Sequence, residues 1–297
     1  MKKISFAVAA ILLLGIIGSC RKFDYHGLPI KESCKVVSLG MIGTDNTEIT
    51  YTYDSKGFIS KEAHSYNGSH YLTIEYNRNK KGEIINDIWR YFSAGEETGS
   101  FRDFYLYSGG RLSSIISYWD ESVDTYDKTG KEPIAVIHSF KYNFMGLITE
   151  IKIELPDYPY LSTANAFEYY NSGLIKKSSF LYNVTEAYPG TFEVSSFQLF
   201  KPVGTPSLSP DTYLIEHGLP YFTAYDDAFA IGYMGVGSTI ETYSMRNDEP
   251  QFIKRRIVKS NEVDERGYTK SIVYSNEDGS SEFGFVYGFD CGRKGKN

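Results

Sequence analysis

One unit recurs along this chain and restricts its fold more than any other feature. It is an alternating run rich in aromatics, a short polar turn ending in glycine, an aliphatic pair, and a second alternating run. The first copy reads Ile49-Thr50-Tyr51-Thr52-Tyr53, then Asp54-Ser55-Lys56-Gly57, then Phe58-Ile59. In the second, Leu72, Ile74 and Tyr76 alternate with Thr73 and Glu75, a longer turn runs to Gly82, and Ile84-Ile85 follow. Tyr105 and Tyr107 lead to Gly109-Gly110 and Leu112; Phe140 and Tyr142 lead to Asn143-Phe144-Met145-Gly146 and Leu147-Ile148. Phe167 and Tyr169 lead to Tyr170-Asn171-Ser172-Gly173 and Leu174-Ile175, and a weaker copy has Asp264-Glu265-Arg266-Gly267 before Tyr268. Period-two alternation broken by such turns is the pattern of antiparallel hairpins. Glycine reaches positive φ without steric cost, and Asp or Asn beside it bonds back to the local backbone. The intervals between glycines 57, 82, 110, 146 and 173 are 25, 28, 36 and 27 residues, which fits a meander with variable loops better than a strict solenoid.

Composition agrees. Tyr and Phe together number 45, residues that suit a pleated, half-buried surface. In the last alternating run Phe283, Phe285, Tyr287 and Phe289 all fall on one face, directed at either a core or lipid. Between about Lys201 and Pro220 the pattern lapses into an irregular connection carrying Pro202, Pro206, Pro210 and Pro220. The expected fold is all-β: one long antiparallel meander of hairpins over residues 34–297, curled strongly or forming an open barrel.

The N-terminus is of another kind. Lys2 and Lys3 precede an unbroken apolar stretch, Phe6 to Ile17, and Ile17-Gly18-Ser19-Cys20 closes it with small residues and a cysteine. This is the layout of a secretory signal. Twelve apolar residues make about 18 Å of helix, too short for a bilayer core of about 30 Å. Ile17 to Cys20 resembles the lipobox of bacterial lipoproteins at all four positions, which implies a signal peptide over 1–19, a diacylglyceryl group on Cys20 and a tether over 20–33. An ordinary cleaved signal with an incidental cysteine is the other reading. Two or more acyl chains hold a protein on a membrane stably where one does so only marginally.

Without the signal, 29 basic residues face 37 acidic ones, a net charge of −8 that suits neither the phosphates of nucleic acid nor their recognition. The densest basic run, Lys254-Arg255-Arg256, reads as one edge of a strand. Two cysteines remain in the body, Cys34 and Cys291, near its ends. If the first and last strands are neighbours, a disulfide could staple the sheet closed; two separate buried thiols would look the same in sequence.

The hairpin unit resembles the tyrosine–aspartate repeats of Rhs-type shell proteins, well over Tyr51 to Ile59 and less in the other copies, which lose the Asp. The whole arrangement over roughly residues 34–291, with Ile231-Gly232-Tyr233-Met234-Gly235-Val236-Gly237-Ser238, looks more like a family of lipoproteins from Gram-negative gut anaerobes. That resemblance implies a large porin-like curled sheet, an outer-membrane lipoprotein facing the periplasm or the cell surface, and no catalytic residues. An acidic run after the anchor cysteine, found in related surface-displayed lipoproteins, is replaced here by Arg21-Lys22-Phe23-Asp24-Tyr25.

Little in the chain carries chemistry. His26, His64, His70, His138 and His217 include no i, i+4 pair; His64 and His70 flank a predicted loop, Ser65 to Ser69, across which they could meet. No metal and no cofactor is expected. Gly235-Val236-Gly237 lacks the glycine and setting of a phosphate loop, and no Gly-x-Ser-x-Gly elbow occurs. Asp120-Glu121 and Asp226-Asp227 are adjacent acids that on a strand point to opposite faces, and Asn276-Glu277-Asp278-Gly279 reads as a polar hairpin turn rather than a calcium loop. Trp89 and Trp119 remain as aromatics that could face a ligand, although cross-strand pairing accounts for such rings as well. The expected function is therefore a non-enzymatic envelope module, held to a membrane through Cys20, that binds a glycan or an envelope protein or serves structurally. The alternative is a carbohydrate-active hydrolase whose carboxylates come together from distant strands. A transmembrane barrel fits worst, because most strands show charge or polarity on both faces.

Overall fold

Each recurring turn is organised by one side chain. After Tyr53 the Asp54 amide donates to the Phe58 carbonyl (2.8 Å) and the Gly57 amide to the Asp54 carbonyl (3.1 Å). Asp54 Oδ1 in turn accepts from the amides of Lys56 (2.8 Å) and Phe58 (2.9 Å). Asn79 and Asn143 make the same four bonds in their own turns. Losing the Asp therefore leaves the unit intact, because the amide oxygen of Asn is an equivalent acceptor. The turn before Gly82, longer by the sequence reading, is the same turn starting at Asn79. Gly82 takes φ +89°, and a Cβ there would overlap the ring of Phe58.

The structure is a computed structural model and describes residues 34–43, 46–120, 134–156, 158–171, 174–183, 192–202, 238–265 and 268–291. Among these lie sixteen strands: β1 (Cys34–Ile42), β2 (Thr47–Tyr53), β3 (Ile59–Tyr66), β4 (Ser69–Arg78), β5 (Ile84–Ser93), β6 (Glu96–Ser108), β7 (Arg111–Asp120), β8 (Ile134–Tyr142), β9 (Ile148–Glu154), β10 (Thr163–Tyr169), β11 (Ile175–Asn183), β12 (Phe192–Pro202), β13 (Ser238–Arg246), β14 (Glu249–Val263), β15 (Thr269–Asn276) and β16 (Glu282–Cys291). Every strand pairs antiparallel with its sequence neighbours, and β16 returns to β1, so the sheet is a closed barrel and not an open one. Closure removes the two unpaired edges that an open meander would expose. At the seam Cys34 lies opposite Cys291 and a disulfide joins them.

The two rims differ. One carries the Asp/Asn turns, Gly109-Gly110 and the disulfide; register shifts just before its turns, at Thr52/Tyr53, Asn77/Arg78, Leu106/Tyr107 and Lys141/Tyr142, bend the strands there. At this rim the residue preceding each turn reaches back to the start of the preceding hairpin. Tyr53 donates to the Val36 carbonyl (2.5 Å), Tyr142 to that of Leu112 (2.8 Å), Tyr169 to that of Ile148, and Arg78 uses Nη2 on Ile59 (2.8 Å). The opposite rim has two-residue turns, Asn67-Gly68, Ala94-Gly95 and Asn247-Asp248, with positive φ at both positions, which matches strand twist.

Alternation then separates the faces. Inward positions hold one continuous cluster that includes Val36, Ile49, Ile59, Ile74, Ile115, Ile175, Phe200, Ile272 and Tyr274, each 2% exposed or less. Phe285 and Tyr287 join it, so the rings of the last strand face core. Side chains buried to this degree do not line a water-filled channel. Outward positions carry cross-strand ion pairs: Lys61–Glu75, Lys141–Glu150, Lys177–Glu168, and Glu241 with both Lys201 and Arg255. Charged pairs at these outward positions contrast with the continuous apolar band of a membrane barrel. On β16 the outward Gly284 sits where a Cβ would overlap the carbonyl oxygen of Ile272, which accounts for glycine alternating with the rings.

Candidate functional site

The chemistry-bearing residues that the fold gathers lie inside the barrel. Inward positions of β3 to β7 form a polar layer above the aliphatic ring at the turn-bearing rim. Glu62 and His64 are 1% and 0% exposed and hydrogen-bonded at 2.9 Å, and the Tyr76 hydroxyl donates to the other oxygen of Glu62. Next to them, register places Asp87 on β5 directly opposite Asp103 on β6. The Tyr105 hydroxyl donates to Asp87 Oδ2 (2.6 Å) and the Trp89 indole N–H to Asp87 Oδ1 (3.1 Å), while Ser117 and Trp89 hydrogen-bond Asp103.

Burial sets the protonation of this layer. Removal from water pushes the Asp103 carboxyl up to about 6. Asp87 is raised well above the usual carboxylate range, first by burial and then by the charge of Asp103. Tyr105 is raised by burial and by the two acids. His138, inward on β8, is lowered by burial to about 4 and is neutral. Two carboxylates thus do come together, from neighbouring strands and not from distant ones. At 0% and 3% exposure, and bonded to Trp, Tyr and Ser, they offer no face to a glycosidic bond.

The sequence-derived candidates fall as follows. Trp89 is half-buried on the inner face, stacked on Phe101 at 4.9 Å and 17°, with Tyr91 against the same ring at 5.9 Å. Trp119 pairs with Phe101 from the other side in backbone register; its side chain lies outside the described residues, as do Cys20, His26, His217, Asp226-Asp227, residues 1–33 and the connection beyond Pro202. His64 and His70 do not meet: Asn67-Gly68 is a tight turn, His64 is buried on Glu62, and His70 bonds Thr73 on the outer face. Among the described residues no group of three His, Cys, Asp or Glu is placed to hold a metal. Asn276 to Gly279 forms a hairpin turn closed by the Gly279 amide on the Asn276 carbonyl (2.8 Å). Of the basic run, Arg255 points outward to Glu241 and Glu277, and Arg256 inward over the ring of Phe283.

The inner acids were missed by the sequence reading, yet a signal existed. Asp87 has the parity of Trp89 and Tyr91, and Asp103 that of Phe101 and Tyr105, so an acid at an aromatic-face position marks a buried carboxyl.

No protein-family model matches the chain, and no curated protein matches it. Solved structures resemble it at low identity. A porin-like protein from Bacteroides uniformis is 13% identical with a TM-score of 0.46, covering 86% of this chain and 96% of that one. A porin-like protein from Bacteroides vulgatus is 12% identical with a TM-score of 0.40, covering 87% and 99%. The Photorhabdus luminescens Tc holotoxin pore is 10% identical with a TM-score of 0.23, covering 80% of this chain and 14% of that one.

Proposed function

We propose that this chain is a lipid-anchored protein of the outer membrane whose barrel is a non-enzymatic binding or structural module. The observation that carries this reading is the polarity of the barrel. Ion pairs cross its outer face, where exposed apolar side chains such as Leu106, Phe180 and Val286 are scattered, and apolar rings line its interior, so the sheet stands in water and attachment to a membrane needs another device. The segment ending at Cys20 supplies one: residues 1–19 act as the signal, Cys20 takes the lipid, and 20–33 form the tether. The disulfide between Cys34 and Cys291 suits an oxidising compartment outside the cytoplasm. The test is metabolic labelling with an alkynyl fatty acid, followed by fractionation. Wild-type protein takes the label and pellets with membranes; Cys20→Ala takes none and is recovered soluble. Label on Cys20→Ala, or a soluble wild type, refutes the anchor. Protease shaving of intact cells then separates surface display from a periplasmic orientation.

The binding form of this reading assigns a glycan to Trp89, which is on the inner face and stacked on Phe101; Trp119 is proposed with it from its backbone register opposite Phe101. Flat rings of this kind stack on the apolar faces of sugars. Saturable binding on a glycan array that Trp89→Ala abolishes supports it, and binding unchanged by that substitution refutes the placement.

A further inference from the structure

The rim that carries the disulfide also carries an arc of four turns with a composition unlike the rest of the surface. Phe144, at the tip between β8 and β9, is 93% exposed, the most exposed large apolar side chain among the described residues. In the Asp54 and Asn79 turns the exposed tips include Lys56, Lys80 and Lys81, and Arg111 follows Gly110. None of the three lysines pairs with an acid among the described residues, and the acids of these turns, Asp54 and Glu83, are turned into local bonds. The four turns follow one another along the rim and touch in pairs: Gly82 lies against the ring of Phe58, and Gly146 against the guanidinium of Arg111. Among the described residues the exposed acids of this rim sit elsewhere, Glu262 and Glu265 at the passage from β14 to β15 and Asp290 opposite Lys35 at the seam. Among the described residues the turns of the far rim are mainly acidic, with Glu96, Asp248, Glu249, Glu277 and Asp278 exposed beside the single exposed base Arg246.

We infer that this arc is a membrane-docking edge: Phe144 inserts at the headgroup boundary of a bilayer, and Lys56, Lys80, Lys81 and Arg111 meet its anionic phosphates. The inference rests on the reading of Cys20 as a lipid anchor. Three observations support a lipid surface as the occupant. Cys34 opens β1 on this rim, and the fourteen residue steps back to Cys20 span at most about 50 Å, so the chain enters the barrel from its anchor at this rim. An aromatic tip beside basic residues is the composition that sits at a bilayer interface. The acidic far rim, on a chain whose net charge is negative, is repelled by anionic lipid and turns the basic edge toward it. A lipid anchor fourteen residue steps away does not by itself set the barrel's orientation, whereas the added edge does.

The test uses the full-length protein in vesicles of phosphatidylethanolamine and phosphatidylglycerol. An environment-sensitive dye is placed at Phe144→Cys and, in a separate protein, at Asp248→Cys. The expected result is blue-shifted emission at position 144, quenched by lipids brominated near the headgroup, and water-like emission at position 248. Water-like emission at 144, or quenching at 248, overturns the inference. A second readout uses the full-length Cys20→Ser chain, which has no acyl group. Its sedimentation with phosphatidylglycerol vesicles at low salt should fall at least about tenfold on replacing Lys56, Lys80 and Lys81 by Glu. An unchanged pellet overturns the inference, and all three lysines are exposed, so the fold is preserved. Mass spectrometry of residue 20 reads the anchor independently. Lipid on Cys20 with residue 144 in water leaves the anchor and removes the docking edge; a bare Cys20 with residue 144 quenched leaves the edge and removes the anchor.

Discussion

Replacing Asp103 by Asn should make the barrel more stable at alkaline pH and leave it unchanged in acid. In the folded state the Asp103 carboxyl titrates at about 6, against 3.8 unperturbed, because it is 3% exposed. Its folded value is raised, so the folded protein binds the proton more tightly than the unfolded chain does. Stability is therefore full below pH 3.8 and falls as pH rises toward 6, at about 1.4 kcal/mol per unit. Above pH 6 the accumulated loss is about 3 kcal/mol, the cost of ionising this acid inside the barrel. Asn has the same shape and no charge: its oxygen accepts from Ser117 and its amide donates toward Asp87, which lies opposite in register. His138 works in the other direction, since its folded value is lowered from 6.5 to about 4 and its contribution is lost as pH falls through that window. The wild-type profile sums these opposing contributions with that of Asp87, whose folded value is also raised, so only the difference between the two proteins isolates Asp103. The assay is urea unfolding of the Cys20→Ser chain, with and without Asp103→Asn, at pH 4, 6 and 8. The expected gain is near zero at pH 4 and about 3 kcal/mol at pH 8. A gain that does not change with pH, or a loss at pH 8, would refute the view that Asp103 is ionised and uncompensated there.

Other substitutions test the turns, the core and the seam. Asn143→Ala removes an acceptor of two amide bonds and should cost about 1–3 kcal/mol, whereas Asn143→Asp should be nearly neutral; equal effects by thermal unfolding would contradict the turn geometry. Ile74→Ala empties a fully buried inward position and should cost about 2–5 kcal/mol in urea unfolding, against little for Ile85→Ala, which is 43% exposed. Opening the Cys34–Cys291 disulfide by Cys34→Ser releases a loop spanning 257 residues and should lower stability by as much as about 5 kcal/mol, with amide exchange rising first along β1 and β16; uniform exchange would argue against a weak seam. Tyr142→Phe deletes one link between hairpins and should cost about 1 kcal/mol.

Much of the fold follows from local chemistry alone. An acceptor at Asp54, Asn79 or Asn143 and a glycine three residues on close a turn without reference to the rest of the chain. Alternation along Phe283 to Phe289 assigns one face to rings whatever lies opposite. The meander of antiparallel hairpins and the sorting of rings onto one face were therefore legible in the sequence, but whether that face met core or lipid was not. Closure was not, because it depends on twist and bending summed over sixteen strands until β16 meets β1, and no segment contains that sum. The inner acids belong to the same class. Asp87 and Asp103 lie sixteen residues apart in an ordinary-looking hairpin, and only register across β5 and β6 sets them opposite each other, while burial by strands far along the chain moves their protons. The two rims separate for the same reason. Lys56, Lys81 and Phe144 are scattered over ninety residues, and the up-and-down course of the strands brings them to one edge because every second turn returns to the same end of the barrel.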